Sequence, residues 1–269
     1  HVPEFSMTTD GLPPNALPDL ELGRRFIAAC PVPGEVFQCG VTGSHDYGFS
    51  SPDSDLDLKG IYIAPTRGLL GLHRPPDSFD RLTEFAGTEC DLTLTEVGRA
   101  VALLLSGNGN MLERLLTPFQ LYGSPEVAEL QALARGAVSR RFVRHYAGFF
   151  RGMCREHERG QPPRAKSLLY AYRVALTGVH LLRTGELEAD LRRLAPAYGY
   201  ADALSLIRIK VEGAEKGAVP PEIDAVHRGA WERLERDLQA ALEHSPLPEE
   251  PPNEAACEAW LIDLRRRRL

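Results

Sequence analysis

The sequence lacks the marks of several large classes of protein. Its five cysteines include no Cys-x-x-Cys pair, so neither a zinc ribbon nor a disulfide framework is expected, and a reducing cytoplasm is the expected compartment. No apolar run approaches the ~18–20 residues of a membrane span, and we expect no membrane partner. The opening HVPEFSMTTD has no basic-then-apolar signal pattern, so residues 1–6 are expected to be a vector-derived remnant before a natural start at Met7.

An excess of positive charge is also missing. The net charge of -6 argues against a protein that coats nucleic acid indiscriminately. No zinc knuckle, RNA-recognition motif or helix-turn-helix is present, so any grip on RNA must come from a helical surface or a cleft. One segment, Arg135 to Lys166, carries nine basic residues against two acidic ones, or about +7. It is either a surface that faces a polyanion or a solvated helix face.

Hydrophobic periodicity divides the chain near residues 122–125. Before that point we predict alternating strands and helices: helix Leu20–Cys30, strands Val36–Val41, Leu56–Ala64 and Glu89–Thr95, and helices Glu96–Ser106 and Met111–Leu116, the last one capped by Asn110. After it the pattern is helical throughout, and its last helix is predicted over Ile223–Leu242. The sequence thus predicts an α+β domain over 7–122, with a short mixed sheet flanked by helices, and an all-helical domain over 123–245.

The last segment, 246–269, begins with the proline-rich stretch SPLPEEPPNEAA. We expect a loosely held terminus there, and a solvated tail at Arg265–Arg268. In the basic segment, His145 and His157 have no metal-ligand spacing and are expected at the surface or as caps.

Three aspartates at alternate positions, Asp53, Asp55 and Asp57, come just before the apolar strand LDLKGIYIA. Carboxylates repel one another, so a positive charge is expected beside them. A calcium loop would need Gly and Glu where the chain has Leu58 and Ala64. An acidic turn without function and a site for two metal ions remain as interpretations.

The two-metal interpretation follows from strand geometry. Residues i and i+2 of a strand share a face and lie about 6.6 Å apart at ~3.3 Å per residue. Asp55 and Asp57 would then share two Mg²⁺ or Mn²⁺ ions ~3.5–4 Å apart, the spacing used for in-line phosphoryl transfer. Leu56 and Leu58 would point into the core, and Asp53 would stand in the preceding turn.

A cradle for phosphate is predicted next to these carboxylates. The strand Val36–Val41 ends in Thr42-Gly43-Ser44, where Gly43 lets the main chain approach a phosphate closely. Ser44 would add its hydroxyl and a backbone N–H group at the start of a short helix.

The run GSHDYGFSSPDSDLDLKGIYIAP resembles the signature of polymerase-beta-type nucleotidyltransferases, and more narrowly the predicted nucleotidyltransferases of a bacterial RNA repair pathway. The stretches SGNGNMLERL and KSLLYAYRVALTGVHLLRTGEL agree, and the resemblance spans about Val36 to Leu187. It implies that Asp55 and Asp57 bind both metal ions and that Asp91 completes one of the two sites. It also implies that Gly43 and Ser44 hold the β- and γ-phosphates of an NTP.

In the helical half, Lys166, Tyr170 and Arg173 lie at positions i, i+4 and i+7 of one helix face. They are either a basic and aromatic wall over the nucleotide, or a partly buried face whose cations reach out to solvent.

The resemblance implies an enzyme, a metal-dependent nucleotidyltransferase. It would move a nucleoside monophosphate from an NTP, ATP among the candidates, to a hydroxyl of tRNA or of a broken RNA end. Two alternatives remain: transfer to a protein or small molecule, and a non-catalytic module that binds NTP or RNA beside an RNA ligase partner.

Overall fold

The computed structural model describes residues 11–212 and 217–269, so the predicted remnant at 1–6 and the start at Met7 lie outside the described residues. Its internal contacts define two units. The sheet unit comprises residues 17–46, 53–138 and 250–269, and the helical unit comprises the described parts of residues 11–16, 47–52 and 139–249.

The described residues form five strands and a series of α-helices. The strands are β1 Glu35–Val41, β2 Leu56–Ile63, β3 Ser78–Phe85, β4 Thr88–Glu96 and β5 Gln120–Gly123. The helices are α1 Leu20–Ala29, α2 Thr66–Leu70, α3 Val97–Leu105, α4 Gly109–Leu116, α5 Val127–Gly136, α6 Val143–Arg159, α7 Ala165–Thr184, α8 Leu191–Ala197, α9 Ser205–Glu212, α10 Pro221–Gly229, α11 Trp231–Glu243 and α12 Glu254–Arg266. The predicted α+β class is confirmed.

One mixed sheet organises the sheet unit, with strand order β3-β4-β2-β1-β5. The central pair β2 and β4 is parallel, and the other neighbouring pairs are antiparallel. Strands β3 and β4 form an antiparallel hairpin. In the sheet, β4 pairs with β2, and β3 lies at the edge.

One face of the sheet is predominantly apolar. Leu56 and Leu58 of β2 and Leu92 of β4 belong to a buried cluster with Phe26 of α1, so the predicted inward direction of the two leucines is confirmed. Side chains alternate between the faces of a strand, so the residues between these leucines point to the opposite side of the sheet.

The opposite face is covered only at one end. There Arg114 of α4 donates to the Thr95 hydroxyl at 2.5 Å and to the Gly60 carbonyl at 3.2 Å, and Ile61 is fully buried. Towards the start of β2 and β4 the residues of this face are only half buried. Polar side chains can therefore stand there in contact with water.

Several predicted boundaries need correction. The strands β3 and β5 were not predicted, and Asp91 therefore lies on the fourth strand of the chain. Helix α4 is capped two residues earlier than expected: the Asn108 side chain, not that of Asn110, accepts from the Met111 N–H at 3.0 Å. The predicted helix Ile223–Leu242 is two helices, α10 and α11.

The carboxyl-terminal segment is not a loose tail, and that prediction is wrong. Helix α12 buries Cys257 and Leu264 completely. Its Arg265 pairs with the buried carboxylate of Glu96, which also caps α3 by accepting from the Gly98 N–H at 2.7 Å. Arg268 forms an ion pair with Glu126 at 3.0 Å, so two of the arginines expected in solvent hold the helix to the sheet unit.

The helical unit is built around α7, which is buried over most of its length. Helices α6 and α11 pack against it around Val179, Leu182 and Leu238. His157, expected at the surface or as a cap, is 3% exposed and lies between Ser167 and Asp224, at 2.6 Å from each. This network ties α6, α7 and α10 together.

None of the helices in the described part of the chain combines the length and the apolar character that a membrane crossing demands.

The Arg265–Glu96 pair gives a prediction about stability. Replacing Arg265 by Ala leaves the Glu96 carboxylate buried without its cation, and we expect a loss of about 3 kcal/mol in the free energy of unfolding. The exposed neighbour Arg266→Ala should change it by less than about 0.5 kcal/mol. Urea denaturation measures both, and equal effects would show that α12 does not depend on this pair.

A second prediction concerns pH. Burial and, to a smaller extent, the charge of Arg193 together lower the pKa of His180 to about 4. The imidazole therefore stays neutral in the folded protein while the unfolded chain takes up a proton below about pH 6.5, so stability falls as the pH falls through this window. Between about pH 7 and 5, His180 should cost the wild type about 2 kcal/mol in the free energy of unfolding. We expect the variant His180→Gln to lose that much less over the same pH range. His227, whose pKa burial also lowers, is present in both proteins and cancels in the comparison.

Candidate active site

Two predicted metal ligands are brought together by the parallel strand pair. In the register of β2 with β4, Asp57 lies directly opposite Asp91. Neighbouring strands are about 4.8 Å apart, and side chains of register partners point to the same face. Both carboxylates stand on the half-covered face of the sheet, at the end that α4 leaves open.

Lys59 is a member of this cluster that the sequence reasoning missed. Its Nζ donates to Asp91 Oδ2 at 2.8 Å and to the Thr93 hydroxyl at 3.2 Å. The period-two rule that grouped Asp55 with Asp57 also places Lys59 on the same face, so the signal was present in the sequence. Part of the positive charge expected beside the aspartates is therefore supplied by the chain itself.

Gly43 stands against the Asp57 carboxylate. A Cβ built on Gly43 would overlap Asp57 Oδ2 and lie 2.9 Å from its Cγ, which is closer than folded proteins allow. The residue also has φ +70, in the left-handed region that glycine adopts at no steric cost. The backbone bond from Thr42 N–H to the Asp57 carbonyl, at 2.9 Å, keeps this turn beside β2.

The other residues predicted for this site lie on the connection between β1 and β2. Asp55 is exposed and comes one residue before β2 begins. It therefore lies outside the strand that the two-metal interpretation assumed for Asp55 and Asp57. Ser44 is 8% exposed and belongs to a single 3₁₀ turn, Gly43–His45. Asp53 lies in the turn that precedes Asp55 and β2, as the sequence predicted.

The donor chemistry of the cluster fits a divalent cation. Carboxylate oxygens are the ligands that Mg²⁺ prefers, and Asp57 and Asp91 present them from adjacent register positions. Among the described residues, however, no group of three His, Cys, Asp or Glu side chains is close enough to hold a metal ion. Asp91 is engaged by Lys59 instead.

The helical unit contains the remaining predicted residues. Lys166 is exposed and Tyr170 half buried, and both line a pocket of ≈ 540 Å³ between α6 and α7. The Tyr170 ring makes edge contacts with Tyr47 at 5.7 Å and Phe49 at 5.5 Å between centroids, which fix its orientation.

Arg173 differs from its two predicted companions because it is only 1% exposed. Its guanidinium lies 3.8 Å from the centroid of the Tyr47 ring and 5.9 Å from those of Phe149 and Tyr170. The cation is therefore stacked inside the aromatic layer behind the pocket, and it does not line the pocket itself.

Comparison with known proteins assigns these motifs to a family. A family model described as the RNA repair pathway DNA polymerase beta family matches residues 30–263. An uncharacterized protein of Methanocaldococcus jannaschii is 25% identical over 150 residues, which are 56% of this chain and 61% of the relative. The chain thus spans less than two thirds of that relative's length.

Among solved structures, a nucleotidyltransferase-like protein from Exiguobacterium sibiricum is similar over 92% of this chain and 80% of its own, at 13% identity and a TM-score of 0.33. So low a score adds nothing to the fold assignment, which follows from the sheet topology and the family match.

The contact between Gly43 and Asp57 can be tested by substitution. Gly43→Ala should destabilise the fold by about 2 kcal/mol, because alanine is strained at this φ and its methyl group would displace the carboxylate. The control is Gly148→Ala on α6, where an added Cβ meets nothing within 4 Å. It should stabilise by about 0.5–1 kcal/mol through helix propensity. A neutral Gly43→Ala in urea unfolding would contradict the contact.

Proposed function

Because the chain belongs to the RNA repair pathway DNA polymerase beta family, we propose that it is a metal-dependent nucleotidyltransferase. It transfers a nucleoside monophosphate from an NTP to a hydroxyl of RNA and releases pyrophosphate. The observation that carries the proposal is the register of Asp57 with Asp91, next to the turn at Gly43.

The reaction exchanges one phosphoester bond for another. The acceptor hydroxyl oxygen bonds to the α-phosphorus, the bond from the α-phosphorus to its bridging oxygen breaks, and the hydroxyl proton passes to solvent. Two Mg²⁺ or Mn²⁺ ions held by Asp55, Asp57 and Asp91 would lower the pKa of the acceptor hydroxyl and neutralise charge on the pyrophosphate.

The protein's own groups have separate tasks in this proposal. Asp57 is fixed by the strand register and by the lack of a side chain at Gly43. Gly43 and Ser44 contact the β- and γ-phosphates, where a glycine permits close approach of the main chain. Lys59 holds Asp91 in position on the shared face of the sheet and keeps a positive charge beside the triphosphate.

A reducing compartment suits this assignment. The five cysteines are all free thiols, and burial raises the pKa of the Cys39 thiol to about 12, which keeps it protonated and inert. We place the reaction in the cytoplasm on this ground.

A second candidate function is a binding module that holds NTP or RNA without turnover, beside an RNA ligase. The Lys59–Asp91 ion pair at 2.8 Å favours it, because that carboxylate already has a cation as partner. The two functions differ in whether a labelled phosphate moves.

The test is transfer of label from the α-phosphate of each common NTP, with Mg²⁺ or Mn²⁺, to bulk tRNA, to an RNA oligomer with a free 3′-hydroxyl, and to the protein alone. The double variant Asp57→Asn/Asp91→Asn should lower transfer by at least about 100-fold, the usual effect of removing electrostatic groups at a reacting phosphate. The control Asp80→Asn alters an exposed carboxylate of β3 whose partner is the neighbouring Ser78 hydroxyl.

The outcomes separate the candidates. Label on RNA that the double variant cannot transfer supports the proposal and identifies the base. Label on the protein itself would replace RNA by a protein acceptor. NTP binding without transfer to any acceptor would establish the binding module.

A further inference from the structure

The pocket between α6 and α7 has the composition of a site for a nucleobase. Its volume of ≈ 540 Å³ is in the usual range for small-molecule sites. Phe149, Met153 and Tyr170 form its apolar wall, and Glu156 and Ser167 add polar groups. Aromatic and thioether side chains stack on base faces, and a carboxylate accepts from the exocyclic amine of a base.

The Ser167 hydroxyl is held in a fixed place at this wall. It bonds to the buried ring of His157 at 2.6 Å and donates to the Arg164 carbonyl at 3.0 Å. Tyr170 is fixed by its edge contacts with Tyr47 and Phe49. A pocket whose walls are already ordered loses little side-chain entropy when a ligand enters.

Positive charge surrounds the pocket on two sides. The exposed arginines Arg144, Arg155 and Arg159 follow one another along a single side of α6. Arg155 and Arg159 directly precede the lining residues Glu156 and Gly160, so the row runs along the side of α6 next to the pocket-lining side. Arg164 and Lys166 approach it from the start of α7 and are also exposed.

These five cations form no ion pair within residues 11–212 and 217–269. The nearby acids are otherwise engaged: Glu158 pairs with Arg228 at 3.2 Å and Glu235 with Arg151 at 2.6 Å. Among the lining residues that the structure describes, Glu156 is the one carboxylate. These five side chains are therefore available to bind an external anion.

Two positions in the middle of the arginine row on α6 carry no side chain. Gly148 and Gly152 lie in line with the arginines, and a Cβ added to either would meet nothing within 4 Å. Arg144 and Arg159 are fifteen residues apart, which corresponds to about 22 Å of helix. A polymer can therefore lie along α6 with charged contacts on both sides of the glycines.

We propose that this surface binds single-stranded RNA, with one base inserted between Phe149, Met153 and Tyr170 and with the neighbouring phosphates on Arg155, Arg159 and Lys166. Only the choice of RNA as the polynucleotide rests on the proposed function. The pocket is a site for a nucleotide within a strand, because its cations extend along α6 well beyond the reach of one mononucleotide.

Charge reversal tests the phosphate contacts. Binding of a short fluorescein-labelled single-stranded RNA is followed by fluorescence anisotropy for Arg155→Glu/Lys166→Glu and for the control Arg236→Glu/Arg266→Glu, which changes the net charge equally at exposed sites elsewhere. The first variant should raise Kd by about 10-fold or more and reduce the slope of log K against log salt by about 1.4. An equal effect of the control would overturn the proposal, since binding would then respond to net charge alone.

Ring removal tests the base contact. Tyr170→Leu should weaken RNA binding by at least about 5-fold, whereas Tyr170→Phe, which keeps the ring, should stay near wild type. An abasic strand of the same length should bind wild type and Tyr170→Leu equally. Unfolding midpoints show whether the variants are folded. If Tyr170→Leu is not, the base contact is tested on the wild type, which should bind the intact strand at least about 5-fold more tightly than the abasic strand.

The transferase proposal can fail independently of this one. All binding is measured without NTP, and Asp57→Asn/Asp91→Asn should bind RNA as wild type does whether or not wild type transfers a nucleotide. Intact RNA affinity in Arg155→Glu/Lys166→Glu would overturn the proposed surface. So would a free mononucleotide whose binding depends on Tyr170 while that of RNA does not.

Discussion

The parallel pairing of β2 with β4 is the constraint on which both the core and the candidate site depend. The same hydrogen-bonded register that sets Asp57 opposite Asp91 sets Leu58 opposite Leu92 in the buried cluster. A slip by one residue would carry the whole apolar set of a strand to the other face and would take carboxylates into the core. The free energy gained by burying the apolar face therefore fixes the position of the acids, and contacts among the acids themselves do not.

Charge balance around the two acids is the second element of the design. Lys59 neutralises Asp91 from the same strand face, and Gly43 leaves room for the Asp57 carboxylate where any other residue would displace it. In the helical unit a buried cation also has a fixed partner, because the Arg173 guanidinium lies on the Tyr47 ring. In both units a buried or half-buried charge is stabilised by a partner fixed in the backbone or in an aromatic layer.

Sequence reasoning succeeded where the local pattern was strong. The strands around Leu56 and Leu92 and the helices α1 and α3 carry clear apolar periodicity, and their burial follows it. The edge strand β3 was missed because its side chains are mostly polar, and its one leucine, Leu82, is 66% exposed. Such a strand is defined by its hydrogen bonds to β4, which no periodicity reveals.

Long-range contacts account for the other errors. The prolines before α12 suggested a loosely held terminus. The helix is instead held by the buried Cys257 and Leu264 and by the Arg265–Glu96 pair, whose partners are far apart in sequence. His157 likewise has its carboxylate partner, Asp224, on a helix much later in the chain. The metal ligands, phosphate contacts and nucleotide contacts read from the sequence remain predictions. Their residue types identify chemistry, but occupancy by a ligand depends on atoms outside the chain.

The segment 47–52 has a practical consequence for anyone who wishes to produce the helical unit alone. Tyr47 covers the Arg173 guanidinium, Gly48 lies where any Cβ would overlap the Asp190 carboxylate, and the Phe49 carbonyl accepts from Lys210 Nζ at 2.7 Å. A gene fragment that starts at residue 139 would omit all three contacts and take the nearest aromatic ring away from the buried Arg173 guanidinium. Neither unit is a continuous stretch of the gene, so a fragment intended to fold would need residues 11–16 and 47–52 joined to 139–249 by a designed linker.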